Sequence, residues 1–215
     1  MTRTSRNSQE YPELRRGLGV LLQVAGFAWG VLQFSSGCAP SATATPSVVG
    51  SGLDWVDLQG ERRPLVESVG ERGVVLVYLS VDCPIANRCL PEIEALAERL
   101  GPRGLKWAWV YAQGRESRDD ILRHRAEYGL KVPAFQDVNG SVARAFRVSH
   151  TPEAVALDRR GRLIYRGRIN DQFQRLGVSR PEATRHDLAE ALDEYLNEGA
   201  PRGLETTAVG CRFRQ

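Results

Sequence analysis

Residues 74–100 constrain the fold more than any other stretch, because they combine a buried strand, a Cys-Pro pair and an amphipathic helix. The run from Val74 to Leu79 is apolar and rich in β-branched residues, which is typical of a single buried strand. Cys83 and Pro84 follow it closely, and proline favours the first position of a helix because the N–H that it lacks would have no partner there. The pattern therefore predicts that Cys83 is the N-cap of the helix that follows.

The predicted position of Cys83 gives its thiol a chemical role. A thiolate at a helix N-cap faces unpaired backbone amides and the positive end of the helix dipole, and both favour the thiolate over the thiol. A cysteine in that position is a nucleophile at neutral pH. The alternative is a structural cysteine, since free cysteines are among the residues most often buried.

Cys89 has two interpretations of equal weight. It begins a stripe of apolar residues at spacings of four, three and four, which is typical of a helix face that packs on a core: Cys89, Ile93, Leu96 and Leu100. Cys89 is then either a core residue or a redox partner of Cys83. In an ideal helix, residues six apart point about 240° away from each other, so a bond between these thiols requires the first turn to unwind. Pro91 interrupts the helical hydrogen bonds just beyond Cys89 and makes such unwinding an expectation to test.

The residues after this helix alternate between strands and helices. Leu105–Ala112 is a predicted strand with tryptophan and tyrosine on one face. Ser117 and Asp120 form a predicted capping box that opens a helix with His124 on its polar face. Strands separated by helices predict a parallel portion of sheet that is covered on both faces.

The last third of the predicted domain adds a hairpin and a helix. Ala154–Leu157 is a predicted strand, and Asp158–Gly161 turns the chain into the returning strand Arg162–Arg168. This hairpin forms an antiparallel edge of the sheet. Thr184 and Asp187 are predicted to cap the final helix.

The N-terminal residues predict export or membrane attachment. Residues 1–38 contain a basic segment, an apolar run and then Gly37-Cys38, which together are typical of an export signal. Gly37-Cys38 resembles the acylation site of a bacterial lipoprotein, although Ser35 replaces the usual leucine. An uncleaved anchor and a cleaved signal are the alternatives, and each places the protein in the periplasm or at a membrane. Residues 39–51 are rich in Ala, Ser, Thr and Pro and predict a flexible linker. The domain is expected over residues 52–199, with a tail at 200–215 that carries Cys211.

Charge and cysteine spacing exclude several function classes. The net charge is +3 over 215 residues and the arginines are scattered, so no nucleic-acid surface is predicted. The four cysteines have neither zinc-ribbon nor haem-attachment spacing. The sequence has no glycine-rich loop of the kind that binds phosphate, so no nucleotide site is predicted. The leading hypothesis, given below, needs no cofactor.

The order of elements and three segments resemble the thioredoxin fold in its redoxin or peroxiredoxin-like (AhpC/TSA-type) branch. The segments are VVLVYLSVDCP, VPAFQD and RVSHTPEAVALD with RGRLIYRGRIND. CPIANRCLPEI also resembles a CPIANRYxPEI motif of exported bacterial redoxin-domain proteins, which often end in a Gly-Cys tail. The resemblance implies an α/β fold with a central mixed sheet flanked by helices on both faces. It also implies a cis-proline at Thr151-Pro152 beside the active cysteine.

The sequence departs from both enzyme patterns of this fold. Thioredoxin-type enzymes use CxxC, whereas Ala86 stands three residues after Cys83. Peroxiredoxins use PxxxTxxC, in which Ser80 fits the Thr/Ser position but Leu76 replaces the proline. The fold is therefore more firmly predicted than the reaction.

The leading hypothesis is a thiol-based oxidoreductase or peroxiredoxin-like antioxidant. The Cys83 thiolate attacks a protein or small-molecule disulfide, or a peroxide, and Cys211 or Cys89 is the candidate resolving thiol. An external thiol supplies electrons. Thr151 and Pro152 shape the cleft and offer backbone to a substrate.

Two other hypotheses remain open. Sco-type copper proteins share the fold, and Cys83, Cys89 and His150 resemble their ligand trio, although the spacing CxxxxxC differs from CxxxC. Two thiolates and an imidazole suit Cu(I). A tethered domain that binds a partner without catalysis is the third hypothesis.

Overall fold

The computed structural model describes residues 52–112, 116–200 and 202–213. The predicted signal or anchor, the predicted acylation of Cys38 and the predicted linker lie outside these ranges. Within the described ranges, every helix is too short or too polar to span a bilayer.

Short strands and four α-helices alternate along the described chain. The strands are β1 Asp54–Asp57, β2 Arg62–Pro64, β3 Gly73–Leu79, β4 Leu105–Ala112, β5 Ala134–Asp137, β6 His150–Thr151, β7 Glu153–Asp158, β8 Leu163–Gly167, β9 Phe173–Arg175, β10 Val178–Ser179, β11 Leu204–Glu205 and β12 Cys211–Arg212. The helices are α1 Pro84–Leu100, α2 Arg118–Tyr128, α3 Ser141–Ala145 and α4 Asp187–Glu198.

Eight of these strands form one mixed sheet in the order β11-β8-β7-β3-β4-β5-β1-β2. The strand β3 lies near its centre, parallel to β4 and antiparallel to β7. The predicted hairpin of β7 and β8 extends the sheet on one side, and β11 pairs in parallel beyond it. Two-stranded pairs of β9 with β10 and of β6 with β12 complete the pairing. The predicted α/β class with a central mixed sheet is therefore confirmed.

The sheet separates two apolar clusters because the side chains of β3 alternate between its faces. Val75, Val77 and Leu79 face one cluster, which contains the buried residues of α1, α2 and α4. Val74 and Leu76 face the other cluster, which contains buried residues of α3 and of the C-terminal tail. Helices lie on both faces, as expected.

The helix α1 begins and ends where the sequence predicts. Cys83 is its N-cap and Pro84 its first residue, and the helix continues without a break past Pro91 to Leu100. The unwinding of the first turn, which a Cys83–Cys89 bond would need, is therefore absent from this structure.

Capping predictions at the two later helices had different outcomes. Ser117 and Asp120 form the predicted capping box of α2. Thr184 does not cap α4, which begins after His186. The backbone and hydroxyl of Thr184 instead donate to Asp171. The reason is that the segment before α4 folds onto Asp171 before the helix starts.

Replacing Ile93 by alanine tests the packing of α1 on the sheet. Ile93 has no exposed surface, and removing such a side chain costs about 2–5 kcal/mol of unfolding free energy. Glu98→Ala on the exposed side of the same helix is the control and should change stability by less than about 0.5 kcal/mol. Urea denaturation of both variants measures the difference. Equal midpoints would contradict this packing.

Candidate active site

Cys83 lies where the sequence predicts a nucleophile, at the first turn of α1. Its sulfur accepts a hydrogen bond from the backbone N–H of Ala86, with Sγ and N 3.4 Å apart. The backbone N–H of Cys83 donates to the carbonyl of Ser80, which fixes the tight turn between β3 and α1. Cys83 is only 1% exposed and is a free thiol in this structure.

The segment before β7 forms the second wall of the site. The peptide bond between Thr151 and Pro152 is cis. The Thr151 carbonyl oxygen lies 2.9 Å from the Cys83 sulfur, within reach of a hydrogen bond that the thiol donates. The buried carboxylate of Glu153 accepts hydrogen bonds from the backbone N–H groups of Ser149 and His150 and so holds β6 in place.

The C-terminal tail brings a second cysteine to Cys83. The residues 204–213, here named the strap, run beside β8 and then pair with β6 as the antiparallel strand β12. Cys211 is the register partner of Thr151 in that pair. Both the side chain and the backbone of Cys211 form hydrogen bonds to the Cys83 sulfur. The structure therefore brings Cys83 and Cys211 together across more than half of the chain.

The surroundings of Cys83 favour its thiolate. Burial is the largest influence on the pKa of Cys83 and acts to raise it. Hydrogen bonds from the Ala86 amide, the Thr151 side chain and Cys211 outweigh burial, so that the pKa of Cys83 lies below that of an ordinary cysteine thiol. The N-terminal end of α1 contributes in the same direction.

Cys89 has the opposite environment. It is 3% exposed and belongs to the core cluster under α1. Burial is the main reason that the pKa of Cys89 rises to about 12, and the negative charges of Glu92 and Cys83 raise it further. Its thiol is therefore mostly protonated at neutral pH, and the protonated form is not the nucleophile.

Ser80, which fits the Thr/Ser position of the peroxiredoxin pattern, forms a hydrogen bond to Glu116. The hydroxyl donates to the Glu116 carboxylate, with the two oxygens 2.6 Å apart. The same carboxylate oxygen accepts from the backbone N–H of Val81 at 3.3 Å. Ser80 and Glu116 thus stabilise the end of β3 and the start of the turn that carries Cys83.

The sequence did not predict a partly buried hydrogen-bond network behind this turn, formed by Asn87, His124 and Tyr111. The Asn87 side-chain N–H donates to the Val81 carbonyl at 3.0 Å. The Asn87 side-chain oxygen lies 2.9 Å from His124 Nε2, and His124 Nδ1 lies 2.8 Å from the Tyr111 hydroxyl. Since the Asn87 oxygen only accepts, Nε2 carries the proton and Nδ1 accepts from Tyr111.

The prediction that His124 lies on the polar face of α2 is therefore wrong. His124 is 2% exposed, and burial lowers its pKa, with Glu127 acting in the opposite direction. The surrounding helix is polar, so periodicity alone gave no signal. Asn87, four residues after Cys83 on the same helix, was the available clue, because an amide at that spacing can reach back to the turn.

The residues of the copper hypothesis do not form a metal site here. The His150 ring bonds to the Ser149 hydroxyl at 2.9 Å. In the part of the chain that the structure describes, no group of three or more His, Cys, Asp or Glu residues is placed to hold a metal ion. Cys83 and Cys89 point to different environments because α1 is continuous between them.

The comparison with protein families agrees with this geometry. The family described as AhpC/TSA matches residues 37–166 of the chain. The chain belongs to the AhpC/TSA family. The matched residues of this redoxin include Cys83, Thr151 and Pro152 but end before the strap, so the position of Cys211 is known from the structure alone. A search of curated proteins gave no match.

Solved structures show the same fold. A hypothetical protein from Sinorhizobium meliloti 1021 is 22% identical with a TM-score of 0.65, over 75% of this chain and 90% of that protein. An uncharacterized conserved protein from Geobacillus kaustophilus is 22% identical with a TM-score of 0.64, over 80% and 89% of the two chains. A secreted Mycobacterium tuberculosis disulfide oxidoreductase, homologous to E. coli DsbE, is 15% identical with a TM-score of 0.50, over 66% and 95%. The redoxin is thus thioredoxin-like in fold.

Replacing Asn87 by leucine tests whether this hydrogen-bond network positions Cys83. Leucine has a similar size but cannot hold the Val81 carbonyl, so the turn relaxes and the pKa of Cys83 rises. The Nε2 proton of His124 also loses its acceptor, which costs about 1–3 kcal/mol of stability. Thiolate absorbance against pH, taken as the difference from the Cys83→Ser protein, gives the midpoint.

The control for this titration is Arg88→Ala. Arg88 is the exposed neighbour of Asn87, and an exposed charge contributes little in water. We expect the control to keep the midpoint of the parent protein. An unchanged midpoint in Asn87→Leu would show that the hydrogen-bond network of Asn87, His124 and Tyr111 stabilises the fold without positioning the Cys83 thiol.

Proposed function

We propose that this protein is a thiol–disulfide oxidoreductase in which Cys83 is the nucleophile and Cys211 is the resolving cysteine. The observation that carries the proposal is the pairing of Cys211 with Thr151, whose carbonyl oxygen lies 2.9 Å from the Cys83 sulfur at the N-terminus of α1. Membership of the AhpC/TSA family supports thiol chemistry in general. The choice of Cys83 and Cys211 as the redox pair is supported by their positions in the structure.

The reaction starts from the dithiol form of the protein. The Cys83 thiolate attacks one sulfur of a substrate disulfide; a mixed disulfide forms and the second substrate sulfur leaves as a thiolate. The Cys211 thiol then gives its proton to that thiolate and attacks the Cys83 sulfur. The substrate sulfur that was bonded to Cys83 leaves as a thiolate and takes a proton from water, so that the substrate is reduced by two electrons and the protein keeps a Cys83–Cys211 disulfide. An external thiol reduces this disulfide and closes the cycle.

The electrostatics of the site suit the first step. A thiolate attacks disulfides, whereas a thiol does not, and the lowered pKa of Cys83 increases the thiolate fraction at neutral pH. As the pH falls through that pKa, Cys83 gains a proton and the rate should fall. The Thr151 carbonyl then accepts the thiol hydrogen, which favours the protonated form at low pH.

Cys211 suits the second step better than Cys89. Cys211 lies in the strap, opposite Thr151, and is partly exposed. Cys89 is held in an unbroken helix and in the core, with a pKa of about 12. A thiol with that pKa is protonated and cannot resolve a mixed disulfide at a useful rate.

The hydrogen bond of the Ser80 hydroxyl favours exchange with a disulfide over reduction of a peroxide. The peroxiredoxin pattern places a Thr or Ser at this position, but the Ser80 hydroxyl donates to Glu116. Leu76 in place of the pattern's proline also lies in the middle of β3. Peroxide reduction remains the second candidate, since the same thiolate can attack an O–O bond and yield a sulfenic acid.

We place this chemistry outside the cytoplasm. Disulfides persist in oxidising compartments, and the apolar N-terminal segment with Gly37-Cys38 is typical of export. One structural neighbour is a secreted disulfide oxidoreductase. Acylation of Cys38 would tether the domain to a membrane through residues 39–51.

Single Cys→Ser variants test the assignment of roles. Cys83→Ser should abolish reduction of an insulin disulfide, because neither Cys89 nor Cys211 lies at the N-terminus of a helix as Cys83 does. Cys211→Ser should stop after the first step and accumulate a mixed disulfide on Cys83, visible by mass spectrometry. Cys89→Ser is the matched control and should retain the parent rate within about twofold, since it removes a protonated core thiol.

The outcomes separate the candidate functions. If Cys89→Ser accumulates the mixed disulfide and Cys211→Ser turns over normally, Cys89 and not Cys211 is the resolving cysteine. Full activity of Cys83→Ser would exclude the proposed nucleophile. A parent protein that reduces the insulin disulfide but not a peroxide would show that the thiolate attacks S–S bonds, and the reverse result would favour peroxide reduction.

A further inference from the structure

The strap covers the thiol that the proposed reaction requires. Cys83 is 1% exposed even though it lies at the outer end of a helix. The strap hydrogen-bonds to its sulfur through Cys211 and pairs with β6 along His150 and Thr151. No disulfide-bonded protein can reach Cys83 while the strap holds this position.

We propose that the strap occupies the substrate's own docking edge, and that the substrate is an extended polypeptide segment with glycine before its reacting cysteine. This inference rests on the proposed function and names the substrate class and the control of the same site. The strap must leave β6 before such a segment can pair there. Its return then delivers Cys211 and expels the product.

The strap shows what the edge of β6 accepts. It is an extended chain that pairs antiparallel and places one cysteine opposite Thr151. Pairing of this kind uses main-chain hydrogen bonds, so that a segment of another protein can take the same place. A cysteine carried opposite Thr151 lies beside the Cys83 sulfur, because the Thr151 carbonyl is 2.9 Å from it.

Gly210 sets the residue type before the cysteine. It lies against Thr151, and a Cβ on Gly210 would overlap the Thr151 carbonyl oxygen and carbon. The contacted atoms are backbone and cannot move aside as a flexible side chain can. A segment that follows the path of the strap therefore needs glycine at this position.

The strap is held at both ends, which makes it a reversible cover. Near its start, the Thr206 hydroxyl bonds to the Tyr165 hydroxyl and to the backbone N–H of Arg168. At its end, the Phe213 ring is 6% exposed and stacks on Tyr78, with the ring centroids 5.7 Å apart. The part between these anchors contains Cys211 and can open by local unfolding without loss of the main sheet.

Because the strap and the substrate segment pair with the same edge of β6, they must occupy it in turn during the reaction. The strap opens, which removes the Cys211 hydrogen bonds and also much of the burial of Cys83, while the Ala86 amide and the N-terminal end of α1 still favour the thiolate. The substrate segment pairs with β6. The Cys83 thiolate attacks the segment's disulfide and releases its second sulfur as a thiolate. The strap then displaces the segment's backbone from β6 while the segment's cysteine is still bonded to Cys83. Cys211 transfers its proton to the released thiolate and attacks the Cys83 sulfur, and the reduced segment leaves. The Cys83–Cys211 disulfide now locks the strap closed until an external thiol reduces it.

The variant Gly210→Ala in the full chain tests the cover. Its added methyl group should push the strap off β6 while all other side chains are kept. Gly101→Ala is the matched control, because Gly101 has helical backbone angles and open space around its Cβ position. Under reducing conditions, iodoacetamide should modify Cys83 at least about tenfold faster in Gly210→Ala than in the parent protein, as expected when a local opening becomes frequent. The control should match the parent.

A peptide tests the docking edge without redox chemistry. The probe is a fluorescent peptide with the sequence of residues 204–215 and serine in place of the cysteine. In the parent protein the tethered strap competes at a high effective concentration and excludes it. Fluorescence anisotropy should show binding to Gly210→Ala but not to the parent or to Gly101→Ala. A peptide that has alanine at the glycine position should not bind.

Each outcome decides the proposal. Equal alkylation of Cys83 in Gly210→Ala and the parent, or no binding of the peptide to Gly210→Ala, would overturn it. If Gly210→Ala loses its cooperative melting transition, Phe213→Ala, which frees only the far anchor, replaces it in both measurements with the same expected results. Because the peptide has no thiol, binding that persists in a protein without disulfide reductase activity would support the docking edge while refuting the proposed function.

Discussion

The burial of one sulfur atom beside a carbonyl is the interaction on which the site depends. Cys83 is almost fully buried, and burial alone would leave it protonated and inert. A hydrogen bond to a charged group contributes about 1.5–3 kcal/mol, so the donors from Ala86 and Cys211 are enough to reverse the effect of burial. These donors come from the first turn of α1 and from the C-terminal strap, while β6 supplies the carbonyl. The sheet positions all three by holding β3 next to β7.

The same geometry explains why the second cysteine is far away in sequence. The helix α1 is continuous, and its periodicity turns Cys89 into the core. A nearby partner on that helix would need the first turn to unwind. The strap avoids this cost because Cys211 approaches from the other side of the cleft, on a strand that pairs with β6. The nucleophile, its cover and its resolving thiol therefore occupy one small region.

The sequence predicts local features of this fold better than distant contacts. The buried run of β3, the Cys83-Pro84 start of α1 and the capping box of α2 each follow from residue types within a few positions, and all three are observed. His124 was assigned to a polar face because its neighbours are polar, whereas tertiary contacts with Tyr111 and Asn87 bury it. Thr184 has the residue type of a cap but bonds to Asp171. The choice between Cys89 and Cys211 stayed open because pairing of β6 with β12 leaves no local pattern.

Mapping the disulfide of the oxidised protein tests directly whether Cys83 and Cys211 form the redox pair. The reduced protein is treated with one equivalent of a disulfide oxidant, remaining thiols are alkylated, and the peptides are identified by mass spectrometry. We expect a bond between Cys83 and Cys211 that forms on oxidation, is lost on reduction and leaves Cys89 as a thiol. A bond between Cys83 and Cys89, or a Cys83 that stays an unmodified thiol, would contradict this expectation.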